Sequence, residues 1–233
     1  MTVLVVTGTG TGVGKTVVTA ALAACASGSV AVVKLAQTGV EAGQPGDLAE
    51  ITRLSGCTDV HEFARYPDPL SPHHAAAVSG RPALDQGEAV LRIADLEIDH
   101  DLILVEGSGG LAVPYAEDRW TIYDLGLDVG AGFVLVTSAG LGTINHTALT
   151  VRALAESSTV PAVVIGCWPP QPGLAERCNL LDLARMASGS ELAGVLPQGM
   201  PGMTDFPQRA RTALAPRFGG TFDWPRFRAA AGS

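Results

Sequence analysis

Lysine is nearly missing from this chain. Of its 15 basic residues only Lys15 and Lys34 are lysines, and the other 13 are arginines. Where a cation merely keeps the surface soluble, this sequence uses arginine. A lysine kept against that bias marks a position that needs a compact ammonium on a flexible stem. Two residues do not exclude chance, so their locations must decide. Basic runs are missing as well, and the net charge is −8. That argues against a general nucleic-acid or membrane-surface binder, since both need clustered cations. No apolar run approaches about 18 residues, and no basic residue precedes Lys15. Neither a membrane span nor a secretory leader is expected, and the chain reads as cytoplasmic. The four cysteines, Cys25, Cys57, Cys167 and Cys178, form no CxxC pair. They are expected to be reduced, buried thiols, with no metal or redox role.

Apolar material is abundant, at 47% of the residues. Short runs rich in valine, isoleucine and leucine recur at 3–6, 30–33, 102–105, 133–136, 162–165 and 193–196. Near-continuous runs of this kind are strands of a sheet buried on both faces. Helical patterns lie between them, at 15–26, 46–55, 84–97, 143–156, 174–187 and 204–214. The alternation predicts an α/β fold, a doubly wound, mostly parallel sheet with helices on both faces, and the glycine-rich loop described next makes it the P-loop NTPase type. One domain is expected over 1–226, with 227–233 a loose tail. Two stretches are poor in pattern. In "RYPDPLSPHHAAAVSGRP" (65–82) four prolines exclude a long regular element, and "GCWPPQPG" (166–173) is a proline-rich strand exit. Such segments often wall the ligand site of a doubly wound fold.

The stretch "GTGTGVGKT" (8–16) follows the first apolar run. Its glycines let the backbone approach an anion closely, and the helix starting at Lys15 adds its dipole. Lys15 would reach the β- and γ-phosphates of a nucleotide and the Thr16 hydroxyl would hold Mg²⁺. The spacing is one residue longer than the usual phosphate loop. "LILVEG" (102–107) is an apolar strand ending in an acid, so Glu106 faces the same sheet edge and is a Mg²⁺ candidate, directly or through water. Lys34, in "VVKLAQTG", also falls just past a strand, so both lysines sit on the presumed ligand edge. Asp47, in "PGDLAE", either caps a helix or serves as a second metal-binding carboxylate.

Five motifs in order then carry a resemblance. "GTGTGVGKT" meets G-T-x-T-x-V-G-K-T at every fixed position, so the long spacing belongs to a working loop. "KLAQTG" meets K-P-x-x-[ST]-G with Leu35 for proline, and "EGSGG" meets E-G-A-G-G with Ser108 for alanine. "PLSPHHAAAVSGRP" echoes P-x-S-P-H…G-R-P, and "LGTINH" is unbroken. Together they resemble the dethiobiotin synthetase family along most of the chain.

The resemblance implies a ligase that uses ATP, Mg²⁺ and CO₂ to close a ureido ring on 7,8-diaminononanoate, working as a cytoplasmic homodimer. It implies Lys15 and Lys34 as catalytic groups, with Thr16, Asp47 and Glu106 on the metal. The nucleotide would meet Gly12, Val13, Gly14, Lys15, Thr16 and Val17, then Asp47, Glu106, Gly107, Ser108 and Gly109. Trp168, Pro197, Gln198 and Gly199 would surround its base; many family members carry asparagine where this chain has Trp168. Thr11, Lys34, Thr38, Gly142, Thr143 and Asn145 would bind the substrate, the last three holding its carboxylate tail across the dimer interface. No histidine is given a catalytic role. A rival reading is a partition or septum-site ATPase, which uses ATP as a dimerisation switch. Those proteins carry an extra lysine five residues before the loop lysine, where this chain has Gly10, and they need basic DNA- or membrane-binding surfaces.

Overall fold

The computed structural model describes residues 2–117, 119–156, 160–187 and 191–231. Its centre is a seven-stranded sheet in the order β3-β2-β4-β1-β5-β6-β7. The strands are β1 (Thr2–Gly8), β2 (Val30–Thr38), β3 (Val60–Tyr66), β4 (Leu102–Glu106), β5 (Gly132–Thr137), β6 (Ala162–Trp168) and β7 (Gly194–Pro197). All pairings within it are parallel. Parallel neighbours require crossovers, and the helices that make them cover both faces.

Alternate residues of the apolar strands divide between the two faces. Val6, Val32, Leu104, Val134 and Val164 meet α1 (Lys15–Cys25), α2 (Asp47–Ser55) and α8 (Phe206–Ala213). Val5, Val33, Ile103, Val105 and Phe133 meet α3 (Pro72–Ser79), α4 (Gln86–Leu96) and α5 (Ile122–Asp128) on the other face. Toward the β7 edge that face is covered by α6 (Thr143–Ala155), α7 (Leu174–Met186) and α9 (Trp224–Ala231). Among the described residues no helix is long and apolar enough to cross a membrane.

Four details differ from the expectations above. Pro72 opens α3 at its first turn, so the proline-rich stretch holds a short helix between its prolines. Proline is suited to that position because its missing N–H is not needed there. The expected loose tail instead continues α9 through Ala231, and residues 232 and 233 lie outside the described residues. Phe227 anchors that helix edge-on against Trp168 at 5.5 Å. Of the four thiols only Cys25 is buried; Cys57 is half-buried, and Cys167 and Cys178 are exposed. β3 appears at the sheet edge, where its half-buried residues His61, Glu62 and Arg65 mask any apolar run.

The start of β3 is tied to the end of α4 by a histidine cation. His100 Nδ1 meets the Leu96 carbonyl at 2.8 Å, and its Nε2 meets Asp59 Oδ2 at 2.9 Å. Both partners only accept, so both ring nitrogens carry hydrogen. His61 Nε2 lies 2.6 Å from the other oxygen of Asp59, and Asp99 adds a further negative charge nearby. The Leu96 carbonyl and then the Asp59 carboxylate raise the His100 pKa above its ordinary 6.5. This stabilisation is complete below the unfolded value and is lost as pH rises through the folded one. The melting temperature should therefore fall across that window, and His100→Gln should flatten the slope. An unchanged slope in the variant, followed by scanning calorimetry, would remove His100 from the account.

Candidate active site

The carboxyl ends of β1, β2 and β4 open onto one cleft of about 840 Å³. The loop after β1 supplies Thr11, Gly12 and Gly14, and the first turn of α1 supplies Lys15, Thr16 and Val17. Lys34 and Thr38 come from β2, Asp47 from α2, Glu106 from β4, and Ser108 and Gly109 from the turn beyond it. Pro69, Leu70, Ser71 and Pro72 also line it, so the first proline-rich segment does border the site.

The loop is shaped as an anion cradle. Gly14 has φ +98°, and a Cβ there would stand 2.9 Å from the Gly166 carbonyl oxygen. Only glycine fits both the backbone and the close approach to β6. The helix that follows has no side-chain cap and no acidic residue in its first turn. Its free N–H groups are therefore left for a negatively charged ligand. Lys15 folds back over the loop, with Nζ donating to the Gly10 carbonyl at 2.9 Å. Burial, reinforced by the nearby charge of Lys34, lowers its pKa to about 8.

Beside the cradle lies a buried charge cluster. The ammonium of Lys34 sits 2.6 Å from Asp47 Oδ2 and 2.8 Å from Glu106 Oε1, and donates to the Gly107 carbonyl at 3.2 Å. Glu106 is fully buried, and Lys34 is only 3% exposed. Burial opposes the lysine's charge, but the Glu106 and Asp47 carboxylates outweigh it and hold its pKa above the ordinary value. The Thr16 hydroxyl donates to Glu106 Oε1 at 3.0 Å and that of Thr19 to Oε2 at 2.7 Å. Two carboxylates and a hydroxyl are hard oxygen donors. Mg²⁺ suits such a set, because it keeps several waters and takes one or two carboxylates plus phosphate oxygens. Among the described residues no group of three or more His, Cys, Asp or Glu side chains could hold a metal. A closed, all-protein cage is therefore not what this set offers.

The remaining expected residues lie elsewhere. Val13 packs beneath the loop against the core, and Gly107 reaches the cluster only through its carbonyl. Trp168 and Pro197 line a separate pocket of about 210 Å³ with Phe222 and Phe227. Gln198 is bonded to that strand end, its N–H donating to the Trp168 carbonyl at 2.7 Å, and Gly199 follows it. Gly142, Thr143 and Asn145 do not line the cleft. Thr143 is buried, its hydroxyl donating to the Ser138 carbonyl at 2.7 Å and its N–H to the Gly140 carbonyl at 3.3 Å. Neither group of Thr143 is left for a ligand. Two polar residues at the site escape the sequence motifs: Thr19, one turn after Thr16 on the same face of α1, and Gln37, inside "KLAQTG" but away from its fixed positions.

A parallel sheet, a glycine loop opening a helix, and an acid at the end of a neighbouring strand together define a P-loop nucleotide-binding protein. The family model described as an AAA domain matches residues 2–201. The chain is 52% identical to the ATP-dependent dethiobiotin synthetase BioD of Frankia casuarinae, over 98% of each chain. It is 55% identical to that of Rhodococcus jostii, over 85% of this chain and 87% of the relative. The chain belongs to the ATP-dependent dethiobiotin synthetase family. Among solved structures, the MinC:MinD cell division protein complex of Aquifex aeolicus superposes with a TM-score of 0.53 at 14% identity, covering 90% of this chain and 86% of that one. This is a likeness of fold alone.

Proposed function

We propose that this protein is a cyclo-ligase that makes dethiobiotin from 7,8-diaminononanoate, CO₂ and ATP. The observation that carries this reading is Lys34, held charged between two carboxylates beside the phosphate loop. A substrate amine first adds to CO₂ and gives a carbamate. The carbamate oxygen then takes the γ-phosphoryl group of ATP, and the second amine attacks the resulting anhydride and displaces phosphate. The middle step brings two anions together, so positioning and charge neutralisation supply most of the catalysis. Lys15 and Lys34 hold the γ-phosphate and the carbamate at the cleft floor. The Thr38 hydroxyl and Thr11 border the diamine. Thr16, Asp47 and Glu106 are the residues that would hold Mg²⁺, which would neutralise phosphate charge when bound.

The switch-ATPase alternative rests on fold likeness only, and Gly10 stands where its extra lysine belongs. The direct test is phosphate release: it should require diaminononanoate and bicarbonate together. ATP hydrolysis of equal rate without the diamine would favour the switch.

The active unit in this reading is a two-fold dimer of a cytoplasmic enzyme. Gly142 and Asn145 at the start of α6 would then bind the tail carboxylate in a partner's cleft, since they lie outside their own. Leu141, Leu149 and Leu174 leave apolar surface exposed around this helix start, as an isologous contact would use. Sedimentation at assay concentration should show a dimer, and a fully active monomer would refute this part.

A further inference from the structure

We propose that Gln37 is a positioning residue: it sets the Asp47 carboxylate from outside its helix and joins it to the substrate side of the cleft. The proposal rests on the reading of Asp47 as a metal-binding carboxylate. Asp47 opens α2, whose N-cap, Gly46, makes no side-chain capping bond. The missing cap comes from the neighbouring strand. Gln37 Oε1 accepts the Asp47 backbone N–H at 2.8 Å. Its Nε2 donates to the Thr38 carbonyl at 3.3 Å. One amide therefore ties the Lys34 partner to the residue that borders the diamine. Gln37 is 5% exposed and faces the cleft.

A second observation shows that this contact is built into the chain. Gly46 has φ −108° and ψ −162°, extended backbone that any residue adopts. An added methyl there would have to push aside the Gln37 amide, the end of a flexible side chain. A Cβ would stand 2.5 Å from Gln37 Oε1 and 2.9 Å from its Cδ, with Arg65 Nη2 next at 3.1 Å. The far side of the same loop is fixed independently. Arg65, itself paired with Glu62 at 2.6 Å, donates to the carbonyls of Glu41 at 3.1 Å and Gln44 at 2.9 Å. Arg65 holds the body of the loop, and Gln37 sets its last step into α2. From that step the Asp47 carboxylate reaches Lys34 at 2.6 Å. Partners of this kind, one bond removed from a metal ligand, typically change metal affinity by about 10–100-fold when lost.

The experiment measures Mn²⁺ binding by electron paramagnetic resonance in the presence of a non-hydrolysable ATP analogue, with D47N as reference. Q37A should weaken Mn²⁺ binding about tenfold. G46A should do the same, because the new methyl displaces the amide. The double variant Q37A/G46A should be no weaker than Q37A alone, since the alanine at 37 leaves nothing to displace. In turnover, the Mg²⁺ concentration giving half-maximal rate should rise in parallel, with a smaller change in kcat at saturating Mg²⁺. If D47N weakens Mn²⁺ binding and Q37A does not, Gln37 has no positioning role. A harmless G46A, or effects of Q37A and G46A that multiply in the double variant, also overturns the proposal. If D47N itself leaves Mn²⁺ binding unchanged, the metal reading of Asp47 falls and takes this inference with it.

Discussion

Lys34→Ala should lower kcat by about 10²–10³, the usual loss when one preorganised charge at a developing anion is removed. The geometry adds a second consequence. The ammonium is the partner of Glu106, which is fully buried, and of Asp47. Breaking a buried pair on one side strands the other charge, at a cost of about 3–5 kcal/mol. The alanine variant should therefore melt lower as well as work slower, and kinetics must be taken well below its melting temperature. The two effects separate in a double variant. Lys34→Met with Glu106→Gln leaves no fully buried charge unpaired, and the Asp47 carboxylate it frees is 35% exposed and can be hydrated, so the double variant should recover most of the stability while remaining inactive. Lys34→Arg should also fail, because a planar guanidinium cannot take the point position between the Asp47 and Glu106 oxygens and the Gly107 carbonyl. Near-normal turnover by either single variant would take Lys34 out of the mechanism.

The scarcity of lysine and the positions of the two lysines are legible in the sequence itself. The expected positions point to one edge because parallel strands all end on the same side. Lys34 in fact lies inside β2, level with Glu106, rather than just past the strand, and Lys15 opens α1, yet the fold brings all three to one cleft. Asp47 is ambiguous in sequence between cap and ligand, since both uses place an acid at a helix start. The backbone excludes the cap: Gly46 is the N-cap, and the Asp47 side chain turns to Lys34 instead. Gln37 is not legible, since its partner is the backbone of a residue ten positions away and no side-chain pattern records that. The short α5 goes unread among the helical patterns although its signal is present. Thr121 and Asp124 form a reciprocal capping box at its start. β3 is hidden for a different reason. An edge strand faces solvent along one side, so His61, Glu62 and Arg65 interrupt the apolar run that identifies the central strands.

The same geometry bears on the base of the nucleotide. β6 ends against the phosphate loop where Gly166 meets Gly14, and we therefore place the base near the exits of β6 and β7. An asparagine at position 168 would present one donor and one acceptor to adenine, and paired polar groups are where strong discrimination comes from. Trp168 offers no acceptor, and its indole is turned into the packing of α9, edge-on to Phe227 at 73°. Pro169 and Pro170 have no N–H to substitute. The Trp168 carbonyl is taken by the Gln198 N–H, which removes a second backbone pair from use. What Trp168 itself leaves for the base is a surface that any flat ring can lie against, and polar pairing would have to come from the Gln198 side chain or the Gly199 backbone. ATP, CTP and GTP should all support ring closure, with kcat/KM values within about 10²-fold of one another, well short of the roughly 10⁴-fold and more that a dedicated hydrogen-bonding pocket reaches. Trp168→Phe, which keeps the contact with Phe227, should leave those ratios unchanged. The measurement is kcat/KM for each nucleotide at saturating diaminononanoate and Mg²⁺. Rejection of both CTP and GTP by more than about 10⁴ would show that some other group reads adenine directly.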